Sequence, residues 1–152
     1  MPRIDLFLDS SALFAGIASS AGAARVLLRL ADAGEIRATV SEQVIAEVER
    51  ALARKLPAAL PDLRRAIKQA TVRIVRDPTR DEVQASLQLI AHAADVPIVL
   101  AAMRARAGFL VTLNRRHFID DPKVARLSGM RIGSPGDALA WVRSELAGER
   151  RP

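Results

Sequence analysis

Short apolar runs alternate along the chain with longer segments in which apolar residues recur every three or four positions. The runs have the length and the Val, Ile and Leu content of buried strands, whereas the longer segments have the period of helices that pack on one face. The predicted strands lie at residues 4–9, 36–40, 72–75, 109–113 and 130–132. Because helical segments separate most successive strands, the pattern predicts an α/β fold with a mainly parallel sheet of about five strands and helices on both faces.

Residues that can cap a helix mark the start of several helical segments. Ser41 precedes a helix that we expect to run to about Lys55. The sequence Thr79-Arg80-Asp81-Glu82 has the spacing of a capping box, and it predicts a helix to about His92. That histidine would then lie late in a helix, at the surface or between helices. The sequence Asp120-Asp121-Pro122 is typical of a turn within a loop.

The 152 residues suffice for one domain with a sizeable core, in which roughly 70% of the unfolded surface is buried. Neither an internal repeat nor a linker is evident, so we expect a single domain at residues 1–147 and a charged tail at 148–152. Cysteine is absent, which excludes disulfides and thiolate metal sites and is consistent with a reducing cytoplasm. The start of the chain is a poor signal peptide and no apolar run approaches the ~20 residues of a membrane span, so we expect no membrane partner.

The chain is basic, with a formal net charge of +6 that comes mostly from arginine. A basic surface can attract a polyanion such as RNA, although a codon bias toward arginine and alanine explains the same count equally well. Aromatic residues are scarce, at four Phe, one Trp and no Tyr. Base stacking needs exposed rings, so we expect a bound nucleic acid to be held through its backbone and shape rather than its bases.

Two polar residues stand where two of the predicted strands end. Asp9 closes the first run, and Asn114 closes the run that begins at Gly108. If these strands are parallel neighbours, both side chains emerge at the carboxyl edge of the sheet, where open α/β folds bind their ligands. Glu47 and Asp95, at the edges of two predicted helices, complete the set. Carboxylates gathered there repel one another unless a divalent cation holds them, so the pattern favours a metal-dependent hydrolase.

Each of these residues also has a purely structural interpretation. Asp9 and Asp95 stand where they can cap the helices that follow, and Asn114 is typical of a turn that tolerates a left-handed conformation. Glu47 lies at one border of its helix's apolar stripe and Glu49 at the other, so periodicity does not choose between them, and a solvated glutamate is the commoner outcome. Capping explains the aspartates singly, but it does not explain why they should converge on one edge.

Four short motifs, taken in order, resemble those of a PIN domain over roughly residues 5–133. Within that family, the chain is most similar to the toxin-type branch, which includes the VapC-like proteins of toxin–antitoxin pairs. Each motif is weak alone, and the order and spacing of all four carry the resemblance. The motifs are Leu8-Asp9-Ser10-Ser11, then Ser41-x-x-Val44-Ile45-x-Glu47-Val48, then Asp95-x-Pro97-x-Val99-Leu100-Ala101-Ala102, and finally Leu110-Val111-Thr112-x-Asn114.

The resemblance implies a three-layer α/β/α sandwich and an endoribonuclease that depends on Mg²⁺ or Mn²⁺. It also implies a homodimer, and an antitoxin protein that covers the acidic groove with an arginine or a lysine. Three acidic metal ligands and the hydroxyls that support them are matched by position. These residues are Asp9, Glu47 and Asp95, with Ser10 or Ser11 and Thr112 in support.

One residue departs from the family pattern, because Asn114 stands where the family usually has aspartate. An amide oxygen can ligate a hard cation but brings no negative charge, so three formal charges remain where four are usual. We therefore expect one tightly bound ion rather than two. The alternative function is a degenerate PIN domain that does not catalyse and acts as an RNA- or protein-binding module.

The leading hypothesis from the sequence is metal-assisted hydrolysis of an RNA phosphodiester. Asp9 and Asp95 would bind the ion directly. Glu47 would ligate the ion or orient the attacking water, and Asn114 would complete the shell or position that water. A phosphoryl-transfer enzyme with a nucleophilic aspartate would need a second acid two residues after the first, where this chain has Ser11.

Three basic residues follow Asn114. Arg115 and Arg116 are candidates for contacts with the RNA backbone, and a solvated loop is an equally good interpretation of both. His117 is a conceivable general base, but metal-assisted hydrolysis does not require a histidine.

Overall fold

The computed structural model describes residues 4–149 and contains one parallel sheet. Its strands are β1 (Asp5–Leu8), β2 (Arg37–Ser41), β3 (Val72–Val75), β4 (Phe109–Val111) and β5 (Arg131–Gly133). They lie in the order β3-β2-β1-β4-β5 with every neighbouring pair parallel. The order reverses between β1 and β4, and such a switch point opens a crevice at the carboxyl ends of the strands. The predicted five-stranded parallel sheet is confirmed.

Helices cover both faces of this sheet. The helices are α1 (Ser10–Ala18), α2 (Ala23–Asp32), α3 (Glu42–Lys55), α4 (Leu60–Lys68), α5 (Arg80–Gln84), α6 (Val96–Arg104), α7 (Pro122–Ser128) and α8 (Pro135–Glu149). Contacts between helices join α1 to α2 and α3, α3 to α4, and α2 to α8, whereas α6 contacts α5 and α7. The two groups are the outer layers of the three-layer α/β/α sandwich that the resemblance implied.

The last three residues of the central strand are buried because both of its faces are covered. Leu6, Phe7 and Leu8 expose 1% or less of their surface, which is the continuous burial expected of a parallel strand. Leu8 lies opposite Val111 in the register between β1 and β4. The residues that follow these two positions therefore emerge side by side from a rigid core.

The segment after the capping box departs from the prediction. Thr79 and Glu82 cap each other's backbone as expected, but α5 ends at Gln84 and a helix to His92 is wrong. A short 3₁₀ turn follows, and the backbone at Ile90 is extended. Ile90 exposes only 2% of its surface. Burying this apolar residue decides the path of the chain, which overrides the helical tendency of the sequence.

A second departure lies at residues 120–122, where a loop turn was predicted. Asp121 caps a helix there, because its side chain accepts a hydrogen bond of 3.0 Å from the backbone N–H of Lys123. Pro122 occupies the first helical position, where its missing N–H costs nothing. Turn and helix start share the Asp-Pro signal, and the buried Val124 that follows favours the helix.

Helix α8 continues to Glu149, and residues 150–152 of the charged tail predicted at 148–152 lie outside the described residues. No single helix within residues 4–149 is long and apolar enough to cross a membrane. Helices α1 and α2 reach the required length and composition only when taken together, across a bend of 85°.

Candidate metal centre at the carboxyl edge of the sheet

Asp9 lies at the switch point, directly after β1, and exposes 4% of its surface. Its Oδ1 accepts hydrogen bonds from the backbone N–H of Ala12 at 2.9 Å and from the hydroxyl of Ser11 at 2.7 Å. The bond from Ala12 is the helix cap that the sequence suggested. Oδ2 accepts a hydrogen bond from the buried hydroxyl of Thr112, the residue that follows β4. A carboxylate has about four acceptor positions, so one position on Oδ2 remains for a further ligand.

The pKa of Asp9 is raised above its ordinary value of 3.8. Burial is the largest cause, and the negative charge of Asp95 adds to it. The hydrogen bonds from Thr112, Ala12 and Ser11 act in the opposite direction without cancelling these effects. Asp9 and Asp95 thus lie close enough to repel each other, which is the electrostatic strain that a bound cation relieves.

Glu47 faces this region from α3, whereas Glu49 is exposed. Ser10, the first residue of α1, donates a hydrogen bond to Glu47 Oε2, and Gln43 donates one of 2.7 Å to Oε1. The amide of Gln43 also lies 3.4 Å from the carbonyl oxygen of Ala94. The choice between the two glutamates that periodicity left open is made by packing, which turns Glu47 toward the first motif.

Asp95 precedes α6, but its side chain makes no capping hydrogen bond to that helix. Instead, Asp95 Oδ2 lies 3.0 Å from Nδ1 of His92 and 3.3 Å from Nδ1 of His117. The two imidazole rings stack on each other, with centroids 4.3 Å apart and planes inclined by 19°. The capping role that accounts for Asp9 in part therefore does not account for Asp95.

Asn114 is engaged by the turn that it begins. Its Oδ1 accepts a hydrogen bond of 3.1 Å from the backbone N–H of His117, and its Nδ2 lies 3.1 Å from that residue's Nδ1. The backbone φ of Asn114 is −85°, so the left-handed conformation suggested by the sequence is not adopted. Arg115 and Arg116 are exposed on the single π-helical turn that follows. A guanidinium nitrogen of Arg115 lies 3.7 Å from Asp120 Oδ1.

Two residues of this region lie outside the set predicted from the sequence. Gln43 stands four residues before Glu47 on the same helix, a spacing at which side chains meet, so the signal was present. His92 was assigned to a helix, but it precedes the short 3₁₀ turn Ala93–Asp95, which brings its ring against Asp95. The three-residue spacing of this pair is a local signal, whereas the meeting of both residues with His117 is not.

The candidate residues form a nearly continuous set of contacts drawn from the ends of two strands and from two helices. Asp9 and Asn114 are joined through Thr112, whose hydroxyl donates to the carboxylate and accepts from the Asn114 backbone N–H at 2.9 Å. Glu47 and Asp95 each retain acceptor positions that residues 4–149 do not fill. Carboxylate and amide oxygens with excess negative charge are the donor types that Mg²⁺ and Mn²⁺ prefer, so the residue types fit such an ion. The structure does not, however, bring Asp9, Glu47 and Asp95 together as a group whose ligand atoms all lie within 4.8 Å of one another in residues 4–149.

Comparisons with known proteins identify the fold and the family of the chain. No curated protein matches the sequence significantly. PAE2754 from Pyrobaculum aerophilum has a similar structure, with 16% identity and a TM-score of 0.57 over 93% of this chain and 96% of that one. VapBC2 from Rickettsia felis, bound to a DNA fragment from its promoter, is also similar, with 17% identity and a TM-score of 0.59 over 86% of this chain and 98% of that one. At such identities the likeness is one of fold. The model of the PIN domain family matches residues 5–116, and the chain belongs to that family.

Proposed function

We propose that the protein is a Mg²⁺- or Mn²⁺-dependent endoribonuclease and the toxin component of a toxin–antitoxin pair. The observation that carries the proposal is the environment of Asp9, a buried carboxyl group whose pKa is raised by desolvation and by a second carboxylate. A divalent cation is the ligand that such a pair of acids needs. PIN domains are generally nucleases, which supports the same activity.

Each residue of the candidate site has its own role in binding the ion or in orienting the groups around it. Asp9 and Asp95 bind the ion directly, and the hydroxyl of Thr112 holds Asp9 in place. Glu47, held by two donors, ligates the ion or accepts a hydrogen bond from the attacking water. Asn114 would complete the shell or position that water through its amide oxygen, which in the structure accepts a hydrogen bond from the backbone N–H of His117. When bound, the ion would lower the pKa of a coordinated water and offset the charge that develops on the phosphate during attack.

The net charge of the chain and its family suggest three partners, namely RNA, an antitoxin protein and a second copy of the chain. Arg115 and Arg116 project from the turn beside Asn114 and contact the RNA backbone, which agrees with a net charge of +6. An antitoxin protein covers the acidic groove with an arginine or a lysine, since a guanidinium or ammonium group can replace the charge of the metal. The protein acts as a homodimer in the cytoplasm. Domain limits of 1–147, with the tail at 148–152, are part of the same proposal.

The test compares the two aspartates at opposite ends of β1, Asp5 and Asp9. Total cellular RNA is incubated with tag-free protein and Mn²⁺, and newly formed RNA ends are counted by sequencing. Asp9→Asn removes a direct ligand, and we expect cleavage to fall by about 100-fold or more. Asp5→Asn is the matched control at the other end of β1, and it should cleave like the wild type. Equal cleavage by all three proteins would identify a contaminating nuclease and end the proposal.

A second function is favoured by one observation, the engagement of Asn114 with His117 through both atoms of its amide. An amide held in this way, and without charge, is a weak metal ligand, as expected of a PIN domain that binds RNA or protein without cleaving it. Asn114→Asp separates the two functions. For the nuclease, we expect Mn²⁺ affinity to rise about 10-fold, equivalent to about 1.4 kcal/mol, together with cleavage. If neither form binds Mn²⁺ in calorimetry, the binding module is the correct function.

A further inference from the structure

Both histidines of the chain meet at one place. The sequence contains two histidines and no cysteine, and the two histidines are separated by 24 residues. The structure nevertheless brings His92 and His117 into a stack, and both turn Nδ1 toward the same oxygen of Asp95. These three ligand atoms all lie within 4.8 Å of one another. The hard-cation centre proposed above uses oxygen donors and gives no role to this convergence of nitrogens.

The amide of Asn114 also faces this cluster. Its Oδ1 accepts a hydrogen bond from the backbone N–H of His117, which places its Nδ2 3.1 Å from His117 Nδ1. His117 Nδ1 therefore lies beside both the amide of Asn114 and Asp95 Oδ2, which is 3.3 Å away. An imidazole nitrogen has a single lone pair in the plane of its ring, so a metal ion bound to Nδ1 would replace the contact with Asn114.

We propose that His92 Nδ1, His117 Nδ1 and Asp95 Oδ2 form a second metal site, which takes a borderline divalent ion, with Zn²⁺ as the representative. Zinc bonds to nitrogen and carboxylate oxygen are about 2.0–2.1 Å long, so ligand atoms around a tetrahedral ion are separated by about 3.3 Å. The two separations from Asp95 Oδ2, 3.0 and 3.3 Å, already approach that value. Two imidazoles and one carboxylate leave the fourth position to water, as in zinc sites that remain open.

The type of donor atom distinguishes this site from the Mg²⁺ or Mn²⁺ site proposed above, whose ligands are oxygens and which we call the oxygen centre. Imidazole nitrogen suits Zn²⁺, Ni²⁺ and Cu²⁺, whereas Mg²⁺ prefers oxygen and keeps most of its water. Asp95 is shared between the two sites, and Asp9 and Glu47 belong only to the oxygen centre. Occupation of the site by Zn²⁺ requires the stacked rings to tilt so that their lone pairs converge. It does not require the protein to be a nuclease.

Zinc binding by the tag-free, metal-free protein is the experiment that tests the site. Because the chain has two imidazoles and no thiol, Zn²⁺ has few alternative soft ligands. We expect one Zn²⁺ per chain in calorimetry and an affinity lowered by about 100-fold in His92→Phe, which keeps a stacking ring but removes the nitrogen. His92 is half exposed, so this variant should fold, and its thermal unfolding in EDTA checks that it does.

Long-range proton–nitrogen NMR supplies a second readout, since the spectrum contains only two imidazoles. On addition of Zn²⁺, the Nδ1 signals of both histidines should move while both Nε2 atoms keep their protons. Asp9→Asn separates this inference from the proposed function, because it should abolish Mn²⁺ binding and leave Zn²⁺ affinity within about twofold of the wild type. Unchanged Nδ1 signals, or equal Zn²⁺ affinity in the wild type and His92→Phe, would overturn the second site.

Discussion

The two ends of strand β1 each carry an aspartate, and the two residues are held in much the same way. Asp5 begins the strand, and Asp9 directly follows it. A fully buried threonine at a neighbouring strand donates to each carboxylate, Thr39 of β2 to Asp5 at 2.8 Å and Thr112, directly after β4, to Asp9. Burial is the largest cause that raises the pKa of both groups. Position, hydroxyl partner and desolvation are therefore common to the two aspartates.

Their charged neighbours are different. Guanidinium nitrogens of Arg73 and Arg37 lie 3.6 and 3.8 Å from Asp5 Oδ2, and both arginines lower the pKa of Asp5. The only charged group that acts on Asp9 within residues 4–149 is Asp95, which raises its pKa. The fold places two arginines beside Asp5, which has a structural role, and a second carboxylate beside Asp9 at the switch point. A buried aspartate alone does not indicate a metal site, but a buried aspartate facing another acid does.

The first prediction uses this difference and has the largest expected effect. Mn²⁺ at 100 times its dissociation constant should stabilise the wild type by about 2.7 kcal/mol. For a chain of this size, that corresponds to a rise in Tm of about 5–11 °C. Asp5→Asn should show the same rise, because its carboxylate is already paired with arginines. Asp9→Asn should show almost none. The measurement is thermal unfolding with Mn²⁺ or with EDTA.

A rise in Tm that is equal in the two variants would break the comparison, since it would place the ion away from Asp9. A rise that Asp5→Asn alone removes would locate the ion at the opposite edge of the sheet. Mg²⁺ in place of Mn²⁺ then reports the preferred hard cation from the same experiment.

Much of this fold could be predicted from the sequence because its strands are short, apolar and separated by helices. The carboxyl-edge position of Asp9 and Asn114 follows from strand order alone once the sheet is parallel, and the motif order added Glu47 and Asp95. These inferences depend on local patterns and on one topological rule. From these inferences one can predict which residues approach the carboxyl edge of the sheet, but not which of their atoms come into contact.

The remainder depends on long-range packing that no local pattern encodes. His117 reaches Asp95 and stacks on His92 across 22 or more positions of the chain, so this contact appears only when the fold is known. The arginines that neutralise Asp5 come from β2 and β3, so their role appears only when the strand register is known. The difference between the charged neighbours of Asp5 and those of Asp9 could therefore not be predicted from the sequence.

The second prediction sharpens the comparison through the two threonines and has an intermediate effect. Thr112→Val leaves Asp9 Oδ2 and the backbone N–H of Asn114 without their hydroxyl partner, and we expect a loss of about 2 kcal/mol in the free energy of unfolding. Thr39→Val removes one hydrogen bond from Asp5, which keeps its arginines, so the loss should be about 1 kcal/mol. Urea unfolding measures both, and calorimetry should show weaker Mn²⁺ binding in Thr112→Val only. A larger loss in Thr39→Val would mean that the arginines do not compensate.

The third prediction concerns the metal-free protein and has the smallest effect. In EDTA at pH 7, Asp9→Asn should be more stable than the wild type by about 1 kcal/mol, or about 2–4 °C in Tm, because it removes a buried charge that lacks a cation. An asparagine oxygen can still accept from Ala12, and its amide can donate to the hydroxyl of Thr112. Asp5→Asn should gain less, since its charge is already offset.

The pH dependence of that gain identifies its cause. The pKa of Asp9 in the folded protein is raised above the unfolded value of 3.8, so the folded state binds the proton more tightly. The contribution of Asp9 to stability is therefore fully present below pH 3.8 and is lost as the pH rises through the raised pKa. Asparagine cannot ionise and escapes this loss, so the difference between Asp9→Asn and the wild type should be small at pH 3 and grow toward pH 7. A difference that is constant with pH would trace the gain to packing, and the carboxyl group of Asp9 would then carry no electrostatic strain for a cation to relieve.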